Sequence, residues 1–177
     1  MILVTMSIII FLIIRIIIVY NNIIWSINGA RESKSSVDVM LKNRYDLLPN
    51  LISVVKKYMI YEADTLEKIT KLRTWTNDVS LDTQISSAIK TILALAENYP
   101  DLKASNNFNT LQLQIEWIED KLQASRRTYN AAVKKLLDTT MMFPWNLIAL
   151  QMNIPEFEMF EVSNEEKANP DVNKLLG

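Results

Sequence analysis

The stretch LKNRYDLLPNL, residues 41–51, decides how the chain folds, because it places a proline within a long helix-forming region. Proline lacks a backbone N–H, and its ring clashes with the carbonyl four residues earlier, here that of Tyr45. Pro49 must therefore either kink a continuous helix or begin a new one. The residue before a proline is driven out of the α region, and proline fits well at a first helical position. We therefore predict a reversal at Pro49 rather than a kink.

The lengths on either side of Pro49 agree with a reversal. Residues 20–48 and 49–74 are nearly equal in number, so folding back would bring two apolar stripes together over about 40 Å. The candidate turn residues are Arg44, Tyr45, Asp46, Pro49 and Asn50. A structural role suffices for them, with Asp46 capping the second helix or pairing with Arg44 or Lys42. The alternative is that Arg44, Tyr45 and Asp46 dock a partner at a loop tip.

Upstream, residues 1–20, MILVTMSIIIFLIIRIIIVY, carry a single charged side chain, Arg15. A helix of about this length spans the hydrocarbon core of a bilayer, roughly 30 Å thick. We predict a transmembrane anchor rather than a cleaved signal peptide, because nothing basic precedes the apolar residues and Asn28-Gly29-Ala30 is a poor cleavage site. The residues assigned to the anchor and its interface are Ile2, Phe11, Arg15, Tyr20 and Trp25.

The charge at Arg15 has two interpretations. Its long side chain could reach the membrane interface, near the headgroup-level aromatic side chains of Tyr20 and Trp25. Alternatively, Arg15 pairs with an acidic partner or a lipid phosphate inside an oligomer of anchors. Basic residues follow the anchor and none precedes it. This distribution predicts a protein of the cell membrane whose C-terminal domain lies in the cytoplasm. These flanking residues are Arg31, Lys34, Lys42 and Arg44.

Composition restricts the remaining chain, about 150 residues, to one helical domain without familiar catalytic chemistry. Two glycines are too few for turn-rich β folds or glycine-lined phosphate loops. The absence of cysteine and histidine excludes disulfides, the usual zinc sites, Cys/His nucleophiles and the Ser-His-Asp triad. The net charge is −1, and no basic stripe suggests a nucleic-acid partner. We predict no catalytic residues, no metal and no cofactor.

Apolar residues at three- and four-residue steps predict four amphipathic helices. The first contains Ile23, Ile27, Ala30, Val37, Met40, Leu41 and Leu48. The second contains Leu51, Val55, Tyr58, Met59, Leu66, Ile69 and Leu72, and ends near Thr74. The third opens at an N-cap, Ser80 or Asp82, contains Ile85, Ala88, Ile89, Ile92 and Leu95, and stops before Pro100. The fourth has the seam Phe108, Leu111, Ile115, Ile118, Leu122, Ser125, Tyr129, Ala132 and Leu136. Its off-seam charges are predicted to form a solvated face: Glu116, Glu119, Asp120, Lys121, Arg126 and Arg127.

No one of these stripes can bury itself, so the helices must pack together. The predicted fold is all-α: an N-terminal transmembrane helix followed by an antiparallel up-and-down four-helix bundle with coiled-coil-like packing. Residues 1–25 form the anchor and interface, 26–142 the bundle, and 143–177 an apolar segment with an acidic tail.

In such a bundle the fourth helix returns to the membrane, which gives the segment after it two interpretations. Phe143, Trp145, Leu147 and Ile148 would then contact the membrane surface. The alternative is that the segment caps the base of the bundle as ordinary core. Residues 156–162, EFEMFEV, alternate as an extended segment would, and residues 164–177 are polar and broken by proline.

Three blocks of the sequence stand out: VDVMLKNRYDLLPNLISVVKKY at 37–58, YPDLKASNNFNTLQLQIEWIEDKLQASRRTYNAAV at 99–133, and FPWNLIAL at 143–150. Together they resemble the LemA family of bacterial membrane-anchored proteins. The resemblance implies one N-terminal transmembrane helix, an up-and-down four-helix bundle and no established enzymatic activity. Two departures are Arg15, in an anchor that is usually uncharged, and residues 150–160, where the family commonly has a glycine.

The sequence leaves three classes of function to compare. The first is a non-catalytic, membrane-tethered scaffold that binds lipid and recruits a protein partner or a second copy. The second is an enzyme or metal-binding bundle, which would need inward carboxylates, whereas the acidic residues avoid the apolar seams. The third is a sensor or regulator that acts through Arg15 and the basic residues after the anchor.

Overall fold

A computed structural model describes residues 1–59, 62–70 and 79–160. Within these ranges all regular structure is helical, as predicted, and no strand occurs. The helices are α1 Ile2–Val55, α2 Ala63–Thr70, α3 Val79–Ala96, α4 Pro100–Lys103, α5 Asn106–Met141 and α6 Trp145–Ala149. The chain divides into two compact units: unit 1 is Met1–Ala30 with Asn130–Gly177, and unit 2 is Arg31–Tyr129. The predicted helix end near Thr74, Leu72 and the acidic tail after residue 160 lie outside the described residues.

The predicted reversal at Pro49 is wrong. Helix α1 runs without interruption through Pro49 to Val55, so Asp46 does not cap a new helix but pairs with Lys42 one turn earlier. The physical reason is the arrangement of side chains around the proline. Pro49 and Asn50 are exposed, while Leu48, Leu51 and Val55 are buried.

Continuing the helix therefore retains three buried aliphatic side chains, each contributing about 1.5–3 kcal/mol. That gain exceeds the roughly 3 kcal/mol that an interior proline costs a helix. The chain leaves the helix only after Val55. Backbone hydrogen bonds from Tyr58 and Met59 to the Val55 carbonyl, at 3.0 and 2.9 Å, close the turn that follows.

The core of unit 2 draws on every helix in that unit. Met59 is fully buried there with Leu66 and Ile69 of α2, so the chain returns to the core that the end of α1 enters. Helix α3 contributes Ile85, Ala88, Ile89, Ile92 and Ala96, and α4 contributes Leu102. Pro100 does not merely stop α3, which ends at Ala96, but occupies the first turn of α4, where its missing N–H costs nothing.

Helix α5 follows the predicted seam closely. Side chains at seven-residue intervals are buried along it: Phe108, Ile115, Leu122, Tyr129 and Leu136. Leu111 and Ile118 are also buried, Ser125 is half-buried, and Val133 replaces the predicted Ala132 as the buried residue of its turn. Helix α1 has the same period, with buried side chains at Ile23, Ala30, Val37, Arg44 and Leu51. A heptad period of this kind is typical of helices that pack along their length.

Candidate functional site

The first part of α1 is an apolar run, residues 2–18, in which every side chain is exposed. From Val19, which is 3% exposed, buried residues recur at Ile23, Ile27 and Ala30. Among the described residues, α1 is the one helix with a stretch long and apolar enough to cross a membrane. Arg15 lies within the exposed run, and Tyr20 and Trp25, also exposed, lie just beyond it. The boundary between exposed and buried apolar residues therefore falls at Val19, within the predicted anchor and interface of residues 1–25.

The C-terminal apolar segment, residues 141–150, is also largely exposed. Phe143 is 76% and Leu147 57% exposed, while Trp145 and Ile148 are half-buried. Met141, Met142 and Leu150 are exposed as well. The peptide bond between Phe143 and Pro144 is cis, and α6 begins directly afterwards. Phe143 and Leu147 thus do not act as ordinary core within the part of the chain that the structure describes.

A cleft in unit 1 brings this segment beside residues 22–26 of α1. It has a volume of about 370 Å³ and is lined by Asn22, Trp25, Ser26, Lys135, Thr139, Met142 and Trp145. The indole N–H of Trp145 is buried and has no hydrogen-bond acceptor within the described ranges. The lining combines one cation, several polar groups and two indole rings. A cleft of that size and mixed character can hold a small polar or amphipathic group.

Unit 2 contains an ion cluster that joins three helices: Arg44 of α1, Asp82 of α3, and Glu119 and Arg126 of α5. Asp82 accepts hydrogen bonds from Arg44 Nη1 at 2.8 Å and from Arg126 Nη2 at 2.6 Å. Arg44 also pairs with Glu119. Arg44 is 7% exposed, so its charge is held inside the protein by these two carboxylates.

The ion cluster corrects two predictions, the N-cap at Asp82 and the solvated face at Glu119 and Arg126. Asp82 lies in the first turn of α3 as a bridge between arginines, not as an N-cap. Glu119 and Arg126 belong to partly buried ion pairs rather than a solvated face. A signal was available: Arg44 occupies a position of the seven-residue repeat that is otherwise apolar, and a buried charge requires a partner.

Of the predicted turn residues, only Arg44 joins this cluster. Lys42 pairs with Asp46 and lies 5.2 Å from the ring centre of Tyr45, which packs against the core. Pro49 and Asn50 are on the exposed side of α1. A partner-docking role for Tyr45 and Asp46 stays a prediction.

Asn130 attaches the end of the described chain to α5 within unit 1. Its side-chain amide donates to the Phe160 carbonyl at 2.8 Å, and its carbonyl oxygen accepts from the Phe160 N–H at 2.9 Å. After α5 ends at Met141, the chain has therefore returned along the helix by residue 160. Met141 lies eleven positions after Asn130 in the helix, which corresponds to about 16 Å.

Potential metal ligands do not gather anywhere in the described ranges. No group of three or more histidine, cysteine, aspartate or glutamate side chains there could hold a metal ion. Asp82 and Glu119 of the ion cluster are instead neutralised by arginines.

Comparison with known proteins places these features in a family. The LemA family model matches residues 33–173, a range that contains all three sequence blocks described above. Protein LemA of Metamycoplasma hominis is 27% identical over 156 residues, covering 84% of this chain and 71% of that protein. Magnetosome proteins MamQ 1 and MamQ 2 of Paramagnetospirillum magneticum are each 19% identical over 175 residues. These matches cover 80% of this chain and 64% of each MamQ protein, so the chain spans less than two thirds of their length. Because the family model covers most of the sequence, this chain belongs to the LemA family.

Proposed function

We propose that this protein is a single-pass protein of the cell membrane whose helical part is a non-catalytic scaffold. It binds membrane lipid through its anchor and recruits a protein partner or a second copy at the cytoplasmic face. The observation that carries the proposal is the apolar run of α1. Its side chains are exposed along residues 2–18, and an uncovered apolar surface of that length is stable in a bilayer rather than in water.

The finer architecture is an antiparallel up-and-down four-helix bundle with coiled-coil-like packing. The seven-residue repeats of buried side chains on α1 and α5 support it. Contacts within unit 2 support the antiparallel direction. Arg44 of α1 pairs with Glu119 of α5, whereas the later α1 residues Leu48–Val55 share a core with the earlier α5 residues Phe108–Ile115.

The orientation follows from the charges that flank the apolar run. Arg31, Lys34, Lys42 and Arg44 come after it, and such residues are retained on the cytoplasmic side. Two features support a non-catalytic role: no histidine or cysteine is present, and the partly buried carboxylates of Asp82 and Glu119 are occupied by arginines. A carboxylate that acts as a general acid or base must be free to exchange a proton.

The scaffold role can be tested by crosslinking the full chain in bacterial membranes and then identifying what co-purifies with it. We expect a reproducible crosslinked species that contains either a partner protein or a second copy. The exposed side chains Leu113 and Trp117, one turn apart on α5, offer an apolar contact for it. In intact cells, protease added from outside should leave the acidic tail uncut.

Two outcomes would count against the proposal. A strictly monomeric protein with no reproducible crosslinked partner would contradict the scaffold role. Cleavage of the tail in intact cells would contradict the cytoplasmic orientation while leaving the scaffold role open to the first measurement.

A further inference from the structure

The cleft of unit 1 has the composition of an anion site. Lys135 contributes a cation, and no carboxylate side chain is among the lining residues. Lys135 forms no ion pair with any described residue, whereas its neighbour Lys134 pairs with Asp138 at 2.7 Å. The charge that Lys135 brings to the cleft is therefore not neutralised by the described part of the protein.

Several hydrogen-bond donors accompany this cation. The Trp145 N–H is buried without an acceptor among the described residues. The Asn22 amide and the Ser26 hydroxyl also line the cleft. The Thr139 hydroxyl is not one of these donors, because it donates to the Lys135 carbonyl at 2.7 Å. A buried donor without an acceptor costs about 1–3 kcal/mol. A ligand oxygen that reached the Trp145 N–H would remove that cost.

The position of the cleft on α1 indicates where the ligand comes from. Asn22, Trp25 and Ser26 follow the twenty-residue segment that ends at Tyr20, by about 3–9 Å along the helix axis. The headgroup layer on each side of the hydrocarbon core is of similar thickness, about 5–8 Å. If this twenty-residue segment fills the hydrocarbon core, the cleft opens in the headgroup layer. This step rests on the membrane anchoring proposed above.

We propose that the cleft binds the phosphate of an anionic phospholipid headgroup. The Lys135 ammonium and the Trp145 N–H donate to phosphate oxygens, with Ser26 and Asn22 as further donors. Met142 and the exposed ring of Trp25 lie against the less polar glycerol region, where aromatic side chains are favoured. A zwitterionic headgroup is disfavoured, because its ammonium group would enter a cleft that holds a cation and no carboxylate.

The test uses the full chain in detergent micelles, titrated separately with short-chain phosphatidylglycerol and short-chain phosphatidylcholine. Native mass spectrometry follows the number of lipids retained. We expect saturable binding of phosphatidylglycerol and weaker binding of phosphatidylcholine. Lys135→Gln should weaken phosphatidylglycerol binding about tenfold, the size expected for one charge-assisted contact. Lys135→Arg should retain binding, because it preserves the charge.

Lys134→Gln is the matched control, since it removes the same charge from the adjacent surface residue and should leave binding unchanged. Trp145→Phe keeps the ring but removes the N–H, and it should weaken binding by a smaller factor. Equal losses in Lys135→Gln and Lys134→Gln, or equal affinity for both lipids, would overturn the proposal. Competition by inorganic phosphate as strong as that by phosphatidylglycerol would assign the cleft to soluble phosphate and overturn the lipid assignment.

Flotation with pure phosphatidylcholine vesicles separates this proposal from the anchoring on which it rests. Wild type and every variant should float, because anchoring depends on the apolar run rather than the cleft. A wild-type chain that does not float overturns both proposals. A chain that floats but shows no preference for phosphatidylglycerol overturns the headgroup site alone.

Discussion

At the scale of single residues, Asp82 connects two of the three sequence blocks that resemble the family. It bonds to Arg44 from the RYDLLPNL stretch and to Arg126 from the RRTYN stretch. Arg44 stands in a column of buried positions that is otherwise apolar, at Ile23, Ala30, Val37 and Leu51. A buried ion pair adds little net stability compared with apolar packing, but it penalises any register that separates the partners. We infer that the ion cluster selects the alignment of α1, α3 and α5.

Asp82→Asn should therefore lower the free energy of unfolding by about 2–4 kcal/mol, because it leaves two arginines with one fewer carboxylate. The measurement is urea unfolding of the full chain in micelles, followed by circular dichroism. Asp138→Asn is the control, since Asp138 pairs with Lys134 at the surface and such a pair is worth at most about 1 kcal/mol. Equal effects of the two substitutions would show that the ion cluster does not stabilise unit 2.

At the scale of helices, the buried side chains of α1 outweigh the local preference of its proline. Pro49 cannot donate to the Tyr45 carbonyl, yet the helix continues because Leu48, Leu51 and Val55 on its other side enter the core. The proline ring faces outward, where water can hydrogen-bond to the backbone. Pro100, by contrast, stands where the first turn of a helix needs no N–H.

This difference predicts opposite responses to the same substitution. Pro49→Ala should raise the free energy of unfolding by about 1–2 kcal/mol, because the gain in helix propensity exceeds the added entropy of the unfolded chain. Pro100→Ala, the control, should change it by less than about 1 kcal/mol and in the destabilising direction. Thermal unfolding of both variants provides the measurement. A marked loss of stability in Pro49→Ala would indicate that the proline is needed for the fold.

At the scale of the whole molecule, side-chain exposure along α1 has two different meanings. Leu12 is 54% and Val39 50% exposed, so the two positions are equally uncovered by the rest of the chain. Leu12 lies in the apolar run, whereas Val39 lies in unit 2 among charged and polar neighbours. If the run spans a bilayer, lipid surrounds Leu12 and water surrounds Val39.

Leu12→Asp should accordingly reduce membrane insertion, because an aspartate near the centre of a spanning helix costs about 3 kcal/mol. Val39→Asp, the matched control, should have little effect. The measurement is the fraction of each full-length variant that resists extraction from membranes by alkaline carbonate. The same extracted fraction for both variants would contradict membrane spanning by the run.

The sequence by itself determined the elements whose signal is local and periodic. The apolar run, the all-helical class and almost every buried residue of α5 follow from composition and from three- and four-residue steps, because one helix face repeats at that interval. The family blocks at 37–58, 99–133 and 143–150 were also identifiable from the residues alone and fall within the matched range.

Only the tertiary structure decided which helices pack against one another and which residues are therefore buried or paired. Local preference alone predicts a turn at Pro49, because it takes no account of the core contacts of Leu48 and Leu51. These two residues lie beside Pro49 in the sequence, but they share a core with residues of α2, α3 and α5. Periodicity identifies the face of a helix but not the helix that packs against it. It therefore predicts a cap at Asp82 and a solvated face at Glu119 and Arg126. The cleft likewise requires residues about 110 positions apart to meet, since Asn22 and Lys135 share no local pattern. Contacts between distant segments depend on how whole helices pack together. A local sequence pattern does not show that packing, so the contacts become visible only in the folded structure.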